Sequence, residues 1–156
     1  MGNHTIEERE LLDFLRTMYE ELIPFNQVLG LKVTHLHTDS VRTEFNVAPE
    51  LIGNFVQRTL HGGVISSVLD ATGGILATAG IIPRIAGQSE EVISGAFAKV
   101  GTIDLRVDYL RPGRGTRFVA KGTIMRTGKK VAVTRMELLN DEDVLIAVGT
   151  GTYLVG

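Results

Sequence analysis

Cysteine is absent from the chain, which removes disulfides, thiolate metal sites and thiol nucleophiles from the chemistry open to it. Charge of one sign is scarce as well. The formal net charge is -2, too small for a polyanion-binding surface or an acidic tail. With 44% hydrophobic and 22% charged residues the composition fits a folded globular protein and not a disordered one. The opening MGNHTIEERELL carries acidic residues where an export signal would be basic and then apolar, so a cytoplasmic location is expected. No internal repeat or low-complexity segment is visible, and 156 residues suit one domain spanning 1–156.

Val64 to Ile82 is almost continuously apolar and nearly long enough to span a bilayer. It carries Asp70, Gly73, Gly74 and Gly80, however, and a carboxylate deep in a bilayer costs roughly 2.5–3.5 kcal/mol on insertion scales. A helix buried in a globular core, with no membrane span, is the expectation.

Around that run the chain reads as α+β. Residues 5–22 have the apolar stripe of an amphipathic helix (Ile6, Leu11, Leu15, Met18, Leu22), with Thr5 and Glu8 at capping-box spacing and Pro24 ending it. Two short strands are expected within 31–47, joined at Asp39-Ser40, and a loop over 49–60. The long helix begins near His61 and stops before Pro83. An irregular connection follows, with a short helix after Ser89. Ile103, Leu105, Val107 and Tyr109 alternate with polar residues at the period of a half-buried strand. Further strands are expected at 116–126, 130–139 and 143–155. Strands joined by short turns imply an antiparallel sheet, curled around the apolar helix.

The chemistry concentrates in Leu60-His61-Gly62-Gly63 and the helix beyond it. Each glycine lowers helix propensity by roughly 1 kcal/mol relative to alanine, so something must compensate. One reading is that the bare first turn offers its unsatisfied N–H groups, at the positive end of the helix, to a carbonyl oxygen that becomes negative during acyl transfer. The other is close packing of helix on sheet; spacing alone does not separate them. Asp70 is the only charged residue between His61 and Arg84, about two turns after Gly63 on the same face. It suits a general base or nucleophile, or a structural aspartate satisfied by a neighbouring hydroxyl or arginine.

The His61-Gly62-Gly63 start, Asp70 nine residues after the histidine, and the later strand Thr102 to Pro112 resemble the hotdog-fold acyl-CoA thioesterases. The similarity is to the phenylacetate-pathway (PaaI-like) and human thioesterase superfamily member 2 group, from about residue 29 onward. The resemblance implies a hotdog fold and hydrolysis of an acyl-CoA thioester. It implies that Asp70 activates water or attacks the thioester, that the Gly62 N–H polarises its carbonyl, that His61 orients the helix start, and that Thr102 holds the attacking water. Asn54, or Gln57 in its place, matches the family's upstream amide, although Asn54 precedes the histidine by one residue more than is usual. Asn54 also suits a plain turn former.

The resemblance further implies a homo-oligomer, dimer or tetramer, whose sites take Asp70 and Thr102 from one subunit and Gly62 from another. Coenzyme A arrives as part of the substrate, and neither a further cofactor nor a metal is expected. Nine of the 16 basic residues lie between Arg106 and Arg135 against one acid, Asp108, which suits the phosphates of coenzyme A; Gly63, Arg111, Arg126, Gly128 and Lys129 are the expected substrate contacts. A nucleic-acid surface is not expected, since basic residues lack aromatic interleaving. His4, His35 and His37 read as scattered surface residues with no carboxylate partner.

Three other functions fit less well. They are hydration of unsaturated thioesters, a phenylacetyl-type aromatic thioesterase, and a non-catalytic acyl-CoA sensor, for which Met1 to Leu22 supplies too little of a DNA-binding unit. Ile81, Ile82, Ile85, Val92, Ile93 and Phe97 are expected to line an acyl tunnel, favouring medium- to long-chain fatty acyl groups.

Overall fold

The computed structural model describes residues 6–156, so His4 and the Thr5 half of the expected capping box lie outside the described residues. The first helix, α1, spans Glu8–Thr17 and is capped by Glu7, whose amide donates to Glu10 Oε2 at 3.2 Å. Leu11 and Leu15 are buried as the apolar stripe requires. The helix then loosens into a π-turn, Met18–Leu22, and Leu22 is 60% exposed instead of packed. Pro24 breaks the helix but also starts another. Its fixed φ and missing N–H suit a first helical turn, and α2 runs Pro24–Leu29 until Gly30, at φ 66, takes the left-handed conformation that stops it.

Strands β1 (Lys32–Leu36) and β2 (Ser40–Asn46) form the expected hairpin. The expected loop over 49–60 is more ordered than that: β3 (Ile52–Asn54) pairs with β4 (Thr59–Leu60). A Cβ on Gly53 would lie 2.6 Å from the His61 Cα, so this small hairpin sits directly on the start of the next helix. That helix, α3, spans Gly62–Ala79. It stops before Pro83, as expected, but the proline does not itself end it. Helix α3 ends at Gly80, and Pro83 lies in the first turn of α4 (Ile82–Ile85). Helix α5 (Glu90–Ala98) is capped by Ser89, which accepts from the Val92 amide at 3.4 Å.

Four long strands complete the chain: β5 (Gly101–Tyr109), β6 (Arg117–Thr127), β7 (Val131–Asn140) and β8 (Leu145–Leu154). With β1 and β2 they form one six-stranded antiparallel sheet in the order β1-β2-β6-β7-β8-β5. Helix α3 packs against β2 and all of β5 to β8, so the sheet curls around it as expected. By composition the Gly62–Ile85 segment is apolar enough to cross a membrane, but 72% of its most hydrophobic window is buried inside the fold.

Two apolar clusters flank the helix. Phe45 and Phe118, stacked at 5.5 Å, anchor the one around its N-terminal half, and Leu11, Leu15, Ile75 and Leu76 the one around its C-terminal half. Polar groups inside are paired: Thr43 and Thr72 share a 2.8 Å hydrogen bond between β2 and α3, and no described buried side-chain polar atom lacks a partner.

Candidate active site

Asp70 lies in the middle of α3 on the face turned toward the end of the sheet where β8 and β5 pair. It is half-buried, not fully buried, and it is not unpaired. Thr102 Oγ1 donates to its Oδ1 at 2.9 Å. Tyr153 Oη donates to its backbone oxygen at 3.1 Å and reaches Oδ1 at 3.3 Å. The second oxygen, Oδ2, accepts no hydrogen bond among the described residues, and Asp70 lines a cavity of about 230 Å³ together with Tyr19, Ser67, Val100 and Thr102.

Tyr153 carries no sequence motif, yet it is central to this geometry. Burial, then the neighbouring Asp70 carboxylate, push its hydroxyl far above the usual tyrosine range, so it remains a protonated donor. Burial does the same to Tyr19, whose hydroxyl lies under Gly74. The second glycine pair of the helix explains both positions. A methyl on Gly73 would overlap Tyr153 Oη and sit 2.8 Å from Thr134 Oγ1; one on Gly74 would be 3.1 Å from Tyr19 Oη. These two glycines are the signal for Tyr153 that the sequence held.

The helix start forms a second locus. The His61 side chain caps it, its Nδ1 accepting from the Gly63 N–H at 2.8 Å, which leaves the ring proton on Nε2. A Cβ on Gly63 would come within 2.9 Å of that nitrogen, so the second glycine admits the cap. Gly62 has a different position. The Val64 amide bonds to the His61 carbonyl at 2.9 Å, while the Gly62 N–H has no partner among the described residues. Its carbonyl accepts from Tyr109 Oη at 2.9 Å, tying the far end of β5 to the helix start. Here Gly62, Tyr109 and Arg111 border a cavity of about 340 Å³.

One chain does not bring the two loci together. Gly62 and Asp70 are eight residues apart on one helix, about 12 Å along its axis. Asn54 Oδ1 accepts from the amides of Val56 (3.1 Å) and Gln57 (2.9 Å), so its side chain closes the β3–β4 turn. Gln57 Oε1 instead accepts from Arg114 at 3.1 Å.

The expected phosphate contacts separate as well. Arg111 borders the Gly62 cavity and donates to the Leu145 carbonyl at 2.9 Å. Arg126, Gly128 and Lys129 lie in and beside the β6–β7 turn, held by Arg84 donating to the Gly128 carbonyl at 2.9 Å. That turn packs near Gly80, ten residues and about 15 Å along α3 from Asp70.

Two smaller expectations change. Ile81, Ile82 and Ile85 are packed into the core and Val92 is exposed, and these four border neither the Asp70 cavity, the Gly62 cavity nor a third and larger one, which Ile93 and Phe97 do border. His37 has a carboxylate partner after all, Asp39 at 2.9 Å, which with Ser40 holds that carboxyl below its usual range. Among the described residues no group of three or more His, Asp or Glu side chains is placed to hold a metal ion.

An Asp that lines a cavity and is bonded to two hydroxyls through one oxygen, and an unsatisfied amide at a helix start, are parts suited to acyl transfer. Residues 57–147 match the family model described as thioesterase superfamily. The chain is 42% identical over 147 residues to the medium/long-chain acyl-CoA thioesterase YigI of Salmonella typhimurium, covering 94% of this chain and 95% of that protein. The same figures hold for YigI of Escherichia coli K12. A crystal structure from Shewanella oneidensis, described as related to thioesterase superfamily, superposes with a TM-score of 0.90 at 44% identity, covering 96% of this chain and 97% of that one. A thioesterase family protein from Silicibacter pomeroyi has a TM-score of 0.72 at 23% identity over 91% and 96% of the two chains, a likeness of fold.

Proposed function

Because the chain belongs to the thioesterase superfamily and takes its hotdog fold, we propose that it hydrolyses medium- to long-chain fatty acyl-CoA to a free fatty acid and coenzyme A. The observation that carries this reading is the pairing of Thr102 and Tyr153 to one oxygen of Asp70, a residue that lines a cavity and whose other oxygen accepts no hydrogen bond among the described residues.

In this mechanism Asp70 Oδ2 takes a proton from water, and the resulting hydroxide attacks the thioester carbonyl carbon. Thr102 and Tyr153 fix the carboxylate, and the carbonyl oxygen gathers negative charge as the tetrahedral intermediate forms. An N–H aimed at that oxygen stabilises it. The C–S bond then breaks, and the proton held on Asp70 passes to the leaving thiolate.

The amide in question is the Gly62 N–H of a second subunit. Strand β5 ends the sheet, and the site at Thr102 lies near one of its termini with Tyr109 and Gly62 at the other. Antiparallel pairing of two β5 strands about Leu105 brings the Thr102 end of one to the Tyr109 end of its partner. Oppositely charged Asp104 and Arg106 flank that midpoint, and Ile103, 57% exposed, and the neighbouring Leu110 supply apolar surface for the contact. Arg111 beside the Gly62 locus and Arg126 and Lys129 on the β6–β7 turn then serve the phosphates of coenzyme A, with His61 setting the helix start and Asn54 its supporting turn.

The test is hydrolysis of hexanoyl-, lauroyl-, palmitoyl- and phenylacetyl-CoA by the wild-type chain and by Asp70→Asn. The expected outcome is turnover favouring the longer fatty acyl groups, reduced roughly 10²–10⁴-fold in Asp70→Asn with an unchanged melting temperature. Undiminished turnover by the variant removes Asp70 from the chemistry, and a preference for phenylacetyl-CoA removes the fatty acyl assignment.

A further inference from the structure

A cavity of about 870 Å³ lies outside the site described above, in the groove between α1 and α5. Its walls are apolar: Leu11, Phe14 and Met18 on one side, Ile93 and Phe97 on the other. Its size is within the range of about 300–1,000 Å³ typical of small-molecule sites. Phe14 and Phe97 stack across it at 6.4 Å, and Phe14 remains 50% exposed.

The groove and the Asp70 cavity share no lining residue, but the same two segments of chain run from one to the other. Met18 on the groove wall is followed by Tyr19, which borders the Asp70 cavity, and Phe97 and Ala98 precede Val100 and Thr102, which border it too. Glu10 and Glu90 border the groove about two turns earlier on their respective helices, so the two acids mark the end away from Asp70. A ligand laid along it meets hydrocarbon and the single hydroxyl of Ser94, and carboxylates only at the far mouth.

We propose that this groove is the alkyl-chain site, holding the tail of a linear, uncharged acyl chain whose thioester lies at Asp70. It rests on the hydrolytic reading above and adds the residues that measure chain length. Met18 and Phe97 meet the first methylenes, and Phe14 and Ile93 the later ones. The acidic mouth disfavours a chain that ends in a carboxylate.

Ser94 lines the groove, is exposed and makes no side-chain hydrogen bond among the described residues, so Ser94→Trp fills the groove without emptying the core. Two readouts are taken: kcat/KM for hexanoyl- and palmitoyl-CoA, and binding of the fluorescent fatty acid cis-parinaric acid, which needs no turnover. In Ser94→Trp the expected result is a fall of at least about tenfold for palmitoyl-CoA, the equivalent of losing some two buried methylenes, with hexanoyl-CoA within about twofold of wild type. Parinaric acid binding should be lost in parallel. Phe14→Glu, on a ring already half in solvent, should act in the same direction and guards against misfolding of the tryptophan variant. An equal effect on both chain lengths, or none, overturns the proposal, as does a change of oligomeric state with an unaltered chain-length profile. A wild-type chain inactive on every thioester would instead defeat the hydrolytic reading, and parinaric acid binding would then decide the groove alone: bound by wild type and lost in Ser94→Trp, or the proposal falls.

Discussion

Thr102 and Tyr153 are partners across β5 and β8, and their hydroxyls converge on the same oxygen of Asp70. A β-bulge directly after Thr102 makes this convergence work. The register slips between Thr102 and Asp104, so Thr102 turns to the helix side that Leu105 and Val107 also occupy, and Ile103 is left facing outward.

Removing either hydroxyl while keeping the packing should lower kcat. Tyr153→Phe and Thr102→Val each delete one hydrogen bond to a charged group, worth about 1.5–3 kcal/mol, so falls of roughly ten- to a hundredfold are expected. The double variant should fall by less than the product of the two, because both bonds fix one carboxylate. Steady-state kinetics on all four proteins measures this cycle, and strict multiplicativity would show that the two act separately.

Gly62→Pro isolates one amide. Gly62 is the first residue of α3, where proline fits, and His61 already has the extended backbone (ψ 135) that a following proline requires. The fold should persist while activity drops about 10²–10³-fold, as for loss of an oxyanion donor. Mixing Gly62→Pro with Asp70→Asn subunits after unfolding and refolding should restore about a quarter of wild-type activity, since half the dimers are mixed and each holds one intact site. Failure of a refolded mixture to recover any activity would remove the second subunit's Gly62 amide from the site.

The glycines of α3 should respond in opposite ways to alanine. A Cβ on Gly62 meets only the Tyr109 ring at 3.5 Å, so Gly62→Ala should be neutral or slightly stabilising. Gly73→Ala places a methyl on Tyr153 Oη and should cost about 1–3 kcal/mol. Urea titration of both variants checks the contrast.

Stability should decline in alkali. Tyr19 and Tyr153 are held protonated by burial well above their ordinary value of 10.0. The unfolded chain releases those protons as the pH passes about 10 while the native state keeps them, so stability is intact below that pH and falls above it. Melting temperatures from pH 8 to 11.5 should show the decline, and a Tyr153→Phe variant should show a shallower one.

Most of the architecture was legible in the sequence because its signals are local. Alternation marked the strands, and one long apolar run had to be wrapped. The errors have physical causes. The helices expected to end before Pro24 and Pro83 do so, but each proline also opens a new helix that was not foreseen, since proline is equally at home in a first turn. Ile81, Ile82 and Ile85 looked like tunnel walls because hydrophobicity alone does not distinguish a cavity lining from a core. At the candidate site His61, Gly62 and Asp70 were visible as a motif. Tyr153 was not, because its partner Asp70 lies 83 residues away and only the packing of β8 against α3 brings the two near each other.

The outer rim of β5 has a consequence for handling the protein. Until a second β5 covers it, the side of this strand turned away from β8 is a template on which any extended chain can pair, and the charged Arg106–Asp108 pair at 3.2 Å is the guard against indiscriminate growth. Neutralising that pair should therefore produce aggregation before it produces unfolding, and high salt, which weakens the same guard, should turn dilute solutions cloudy while the spectra still report native structure.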